Sequence, residues 1–71
     1  MRTKSKDDTT RVGRTIESLR VEKGWSLEDL ASRASMSRQG VHMIEQGIRT
    51  GRLPTLRKIA EALGVSLGEI V

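Results

Sequence analysis

The apolar residues of this chain are spaced for helices. From Val12 they recur at Ile16 and Leu19, one stripe on a 3.6-residue period. That stripe predicts a first helix from Thr9 or Thr10, both able N-caps, to Lys23, with Gly24 as a left-handed stop behind it. Trp25 follows in the connection and is expected to plug the core beneath the turn rather than to stack on a ligand. Ser26-Leu27-Glu28-Asp29 opens a second helix: a serine N-cap, an acid at the third helical position, and two negative charges at the positive end of the dipole. Leu27, Leu30, Ala31 and Ala34 give it an inner face, and it ends near Ser35. A third helix starts almost at once, from the N-cap Ser37 to about Gln46, with only Val41 and Ile44 as a clear apolar pair. So narrow a stripe leaves most of that helix for another purpose.

After the turn-rich segment from Gly47 to Arg52, a fourth helix carries Leu53, Leu56, Ile59, Ala60 and Leu63 along one side. Pro54 is tolerated in its first turn and Gly64 closes it. Val65 returns to the core, and Ser66-Leu67-Gly68-Glu69 caps a short fifth helix that carries Leu67 and Ile70. Nothing alternates with the period of a strand, and no segment repeats. The expected fold is all-α, a bundle of five short helices. Residues 1–9 are polar and without periodicity, so they are expected to form a flexible basic arm, leaving 10–71 as the one domain.

Composition narrows the function. A chain of 71 residues has room for one core only. Cysteine is absent and histidine occurs once, which removes disulfides, thiolate nucleophiles and the usual zinc ligand sets together. No acid, base and nucleophile converge, so an enzyme is not expected and no cofactor or metal is implied. No apolar run approaches 18 residues, so neither a membrane span nor a signal peptide is expected, and a cytoplasmic location follows. Lys and Arg number 13 against 9 Asp and Glu, a net charge of +4, and they are unevenly placed. Arg2, Lys4, Lys6, Arg11 and Arg14 face only Asp7 and Asp8 in the first stretch; Arg38, Arg49, Arg52, Arg57 and Lys58 face only Glu45 in the third. A single aromatic residue argues against a stacking platform for single strands. A polyanion of another kind fits better.

Two short helices joined by about three residues, the second nearly bare of apolar side chains, fit a helix-turn-helix. Ala31 supplies the small residue that close crossing needs, Ser35 occupies the tight turn, and Val41 and Ile44 anchor the inner side of the second helix. With Leu19-Arg20, Gly24-Trp25-Ser26, Leu30-Ala31, Met36-Ser37, Ile44-Glu45-Gln46-Gly47 and the run from Ile59 to Leu67 in this order, the chain resembles the Cro/C1-type (Xre-type) phage-repressor helix-turn-helix domains from about Arg14 to Val71. The resemblance implies the lambda-repressor-like five-helix bundle and binding of operator DNA as a two-fold dimer.

Mapped onto these positions, it makes residues 37–46 the recognition helix. Arg38, Gln39, Gly40 and Met43 match base-facing positions. Arginine can bridge guanine O6 and N7, and glutamine can pair with adenine N6 and N7. Ser26, Ser37, Gln46, Arg49 and Arg52 are expected at the DNA backbone, Ser37 also as an N-cap. Met43 either covers the helix surface or meets a thymine methyl, and His42 faces solvent or a phosphate. Gly40 costs helix stability, so it either lets the helix approach the bases closely or is a tolerated change at an exposed site. Arg20 and Glu45 match an ion pair that ties helix 1 to helix 3 in such repressors. Two departures stand out: Leu27 replaces a phosphate-clamping glutamine, and Gly51 replaces a frequent proline, so that loop is expected to be more mobile. Val65, Leu67, Ile70 and Val71 offer a dimer surface.

The function expected is sequence-specific binding of double-stranded DNA by a transcriptional regulator, a repressor acting as a homodimer on a pseudo-palindrome. The alternatives are an antitoxin-like module whose protein partner is a toxin or another regulator, and the N-terminal DNA-binding part of a longer regulator.

Overall fold

A computed structural model describes residues 4–49 and 51–71. Five helices follow one another: α1 (Lys4–Glu22), α2 (Leu27–Arg33), α3 (Arg38–Glu45), α4 (Leu53–Leu63) and α5 (Leu67–Ile70). The four later helices fall where the apolar spacing places them. The first does not begin where expected: α1 is helical from Lys4, ahead of Thr9 and Thr10, so residues 4–9 of the expected arm belong to a helix. Neither glycine nor proline interrupts that stretch, and nothing forces the helix to wait for a threonine cap. The arm's first three residues lie outside the described ones.

Caps fix the starts of α2, α3 and α5. At α2 the Asp29 N–H donates to Ser26 Oγ at 3.0 Å and the Ser26 N–H donates to Asp29 Oδ2 at 2.9 Å, a reciprocal capping box. Hydrogen bonds to the carboxylate from the Ser26 backbone N–H and then from the Ser26 hydroxyl hold the Asp29 carboxyl below its ordinary 3.8. At α5 the Ser66 N–H donates to Glu69 Oε2 at 3.1 Å.

The ends of α1 to α4 share one geometry. The Trp25, Met36, Ile48 and Val65 N–H groups donate back to the Arg20, Ala31, Met43 and Ala60 carbonyls at 2.8 to 3.2 Å. Each is preceded by a left-handed residue, as the Schellman motif requires: Gly24, Ser35, Gly47 and Gly64. Three of these are glycine. Ser35, with φ +57°, carries a Cβ into that region and sits in the tight turn of the helix-turn-helix.

Ile16, Leu30, Ala31, Ala34, Val41, Ile44, Leu56, Ile59, Ala60, Leu63 and Ile70 close the core, with Val12, Leu19, Trp25 and Leu27 half-buried around it. α3 lies against both α1 and α2, while α4 packs on α2 and α5. Two expectations fail at the surface. Leu53, read as part of the inner side of α4, is 56% exposed, because it is the first residue of the helix and groups outward with Arg57 and Glu61. Ile70, read as part of a dimer surface, is 1% exposed: α5 folds back and spends it on the chain's own core.

Candidate nucleic-acid interface

Ser37 starts α3 by accepting the Gly40 N–H on its Oγ at 3.0 Å. Val41, Ile44 and Glu45 turn inward and are buried. Arg38, Gln39, His42 and Gln46 are exposed. At about 100° per residue these four lie within an arc of about 100°, one continuous polar stripe. Gly40 and Met43 are half-buried and border the stripe on its other side. A helix held by two apolar residues and bare along a polar stripe can lie in a groove about 12 Å wide and present hydrogen-bonding groups to base edges.

The far end of α3 is fixed from two directions. Arg20 of α1 donates from Nε to Glu45 Oε2 at 2.8 Å and from Nη2 to Glu45 Oε1 at 3.0 Å. Its remaining Nη1 donates to the Trp25 carbonyl at 2.8 Å. One guanidinium thus ties together α1, the turn before α2, and α3. The Glu45 side chain is only 2% exposed and that of Arg20 13%, so the expected ion pair is largely buried. Bonding to Glu45 raises the already high pKa of Arg20, so the cation is permanent.

Sequence reasoning missed a second fixation. A Cβ on Gly13 would stand 2.4 Å from the Ile44 carbonyl oxygen and 2.6 Å from that of Glu45. At that point α1 rests directly on the last turn of α3. Thr10 reaches the same place, within 3.3 Å of where a Cβ on Gly47 would be. The available signal was a lone glycine inside an otherwise regular helical stripe, a residue that lowers helix stability and commonly marks close packing. Trp25 plugs the core edge as expected, and the structure adds two cations over its ring: Arg33 at 4.3 Å and Lys23 at 5.2 Å from the centroid.

The residues expected at the DNA backbone fall into two groups. Ser26 is exposed, but its backbone N–H is bonded to Asp29, and Glu28 and Asp29 give the start of α2 a negative charge. Ser37, Gln46, Arg49 and Arg52 are exposed at either end of α3 and at the head of α4. Arg49 and Arg52 line a single groove with Gly40. Gly51 stands where a Cβ would come 3.0 Å from a methyl of Leu56 and 3.3 Å from one of Ile44. At the C-terminal end, Val65 and Leu67 are half-buried against the core and Val71 is 49% exposed.

A five-helix bundle whose third helix is capped at one end, pinned at the other and bare outside is a helix-turn-helix domain. The chain belongs to the helix-turn-helix family of DNA-binding transcriptional regulators, which residues 16–70 match, and within it to the Cro/C1 type. It is 40% identical over 60 residues to y4dJ, an HTH-type transcriptional regulator of Sinorhizobium fredii, covering 84% of this chain and 78% of that protein. It is also 36% identical over 56 residues to an HTH-type transcriptional regulator of Mycobacterium tuberculosis, of which it spans 22% of the length. Among solved structures, the restriction-modification controller protein C.AhdI of Aeromonas hydrophila superposes with a TM-score of 0.88 at 32% identity, over 92% of this chain and 98% of that one. The clp gene regulator ClgR of C. glutamicum superposes with a TM-score of 0.83 at 25% identity, over 89% and 82%. Among the described residues no helix is long and apolar enough to cross a membrane.

Proposed function

We propose that this chain is a sequence-specific transcriptional repressor that binds a pseudo-palindromic operator as a homodimer, with α3 in the major groove. The observation that carries the reading is the division of α3. Val41, Ile44 and Glu45 hold it to the bundle while Arg38, Gln39 and His42 stand free on its outer side. Arg38 and Gln39 lie in the first turn, where a helix entering the groove meets base edges, and Met43 meets an apolar part of the same surface. Ser37, Gln46, Arg49 and Arg52 hold the phosphates on either side. One helix reads too few base pairs to select a site in a genome, so two copies are needed. The half-sites then lie one helical turn apart, about 34–36 Å. Val71 and the exposed parts of Val65 and Leu67 form the meeting surface, without Ile70.

Selection of bound fragments from random duplex DNA tests this. The expected product is a two-fold symmetric sequence with half-sites about 10 base pairs apart, centre to centre. An enriched site without symmetry removes the dimer, and no enrichment over the starting library removes sequence-specific reading altogether.

A further inference from the structure

Two exposed apolar residues have no part in the bundle or in the reading of DNA. Val21 is 58% exposed near the end of α1, and Leu53 is 56% exposed at the start of α4. Each stands on a charged outer stripe. At about 100° per residue, Arg14, Glu17 and Val21 fall within an arc of about 60°, and Leu53, Arg57 and Glu61 within about 80°. All six are exposed. Leu53, Pro54, Arg57, Lys58 and Glu61 line a recess of about 260 Å³, room for a branched apolar side chain. Among the described residues none of Arg14, Glu17, Arg57 and Glu61 is held in an ion pair.

The two stripes match in reverse. Glu17 stands one turn back from Val21, about 6 Å along the helix, and Arg14 about 10 Å back. Arg57 stands one turn on from Leu53, again about 6 Å, and Glu61 about 12 Å on. With α1 of one copy laid antiparallel on α4 of another, Val21 meets Leu53, Glu17 meets Arg57 and Arg14 meets Glu61. Neither stripe complements itself. Laid parallel on its own kind, each sets like charges face to face; laid antiparallel, its charges run off opposite ends and meet nothing.

We infer that these stripes are a contact between copies of this chain, the outer face of α1 in one seated on the outer face of α4 in the next. It goes beyond the DNA-binding reading and uses none of the residues given there to base edges, phosphates or the dimer. Because the two faces differ, the contact is heterologous: each copy keeps one face free, and copies add in a row. Three residues a side fall far below the about 20–30 of a stable interface, so the contact forms where copies are already held close, as on neighbouring sites of one duplex.

Disulfide trapping tests this without DNA, since the chain has no cysteine of its own. An equal mixture of Val21→Cys and Leu53→Cys chains is oxidised, and the mixed product is compared with the two like-with-like products together. Random pairing gives equal amounts. The mixed product is expected in about fivefold excess, the combined worth of two exposed ion pairs. Glu17→Arg in the first chain is expected to abolish the excess, and Arg57→Glu added to the second to restore it. Ser32→Cys, exposed on α2 one turn beyond the acids Glu28 and Asp29, takes the place of Val21→Cys as the control for undirected charge attraction. It is expected to give no such excess. All the substituted side chains are exposed, so the fold should survive each change. No excess of mixed product, an excess untouched by Glu17→Arg, or an equal excess from Ser32→Cys overturns the contact. A chain that binds no duplex overturns the DNA-binding reading and leaves the trapping result to be read on its own.

Discussion

Ser35 holds the only left-handed non-glycine backbone among the described residues, and it does so in the turn on which the helix-turn-helix depends. A side chain in this region costs about 1–2 kcal/mol, and the greater freedom of unfolded glycine returns part of that. Ser35→Gly is expected to stabilise the domain by up to about 1 kcal/mol in urea unfolding; a lower midpoint would show that the serine is held there by something other than the turn. Gly13 shows the reverse case. Alanine is the better helix former by about 1 kcal/mol, yet its methyl group would overlap the Ile44 carbonyl, where the neighbour is backbone and cannot swing away. Gly13→Ala is expected to destabilise by about 1–3 kcal/mol net. A variant more stable than wild type would mean that α1 does not rest on α3 as described. Ser35 was legible in the sequence because a tight turn must fall between two helices only a few residues apart. Gly13 was not, since the carbonyls it avoids lie about thirty residues away and only the folded chain brings them near.

α3 is anchored by only two buried apolar residues, Val41 and Ile44, and each of its ends is fixed separately. Its start depends on one serine hydroxyl, while its end depends on the Arg20–Glu45 pair and on the backbone of α1. Glu45→Gln removes a buried charge from beneath a guanidinium that keeps its own. Breaking one partner of such a pair costs about 3–5 kcal/mol, against a total of about 4–10 kcal/mol for a domain this size. The variant is expected to be largely unfolded on mild warming, and a fall of under about half a kcal/mol would show the pair to be superficial. At α2, the sign of the pH effect follows from the Asp29 carboxyl, which titrates below its unfolded value of 3.8. Its contribution is fully present above that value and is lost as the pH falls through the lower folded-state pKa. Asp29→Asn should therefore remove part of the acid sensitivity of unfolding below about pH 4; an unchanged acid limb would mean that the capping box is not formed in solution. Helix positions and caps were readable because they depend on near neighbours. The start of α1 was not, because a possible N-cap is a permission and not a barrier: Lys4 to Thr9 simply continue the helix.

At the scale of the whole molecule, the charge pattern and the fold agree. The basic residues of the third part of the chain, Arg38, Arg49 and Arg52, surround α3, and the acids Glu28 and Asp29 stand at the start of α2. The sequence disclosed the motif, the ion pair and the bare helix. It could not disclose that Ile70 turns inward, since a four-residue helix at the end of a chain can place its apolar residue on either side. Nor could it show that Gly40, Arg49 and Arg52 meet across one groove, because the loop between them sets that distance. The reading as a whole stands on the outer stripe of α3, and the measurement closest to it is fragment selection from random duplex DNA with wild type beside Arg38→Ala/Gln39→Ala. Both side chains are exposed, so the fold should survive the change. Wild type is expected to return a symmetric site, and the double variant to lose preference at the positions nearest the start of α3, each good contact being worth about 1–3 kcal/mol, while still binding duplex in a salt-dependent way. The same site returned with the same preference by both proteins would contradict base reading by α3.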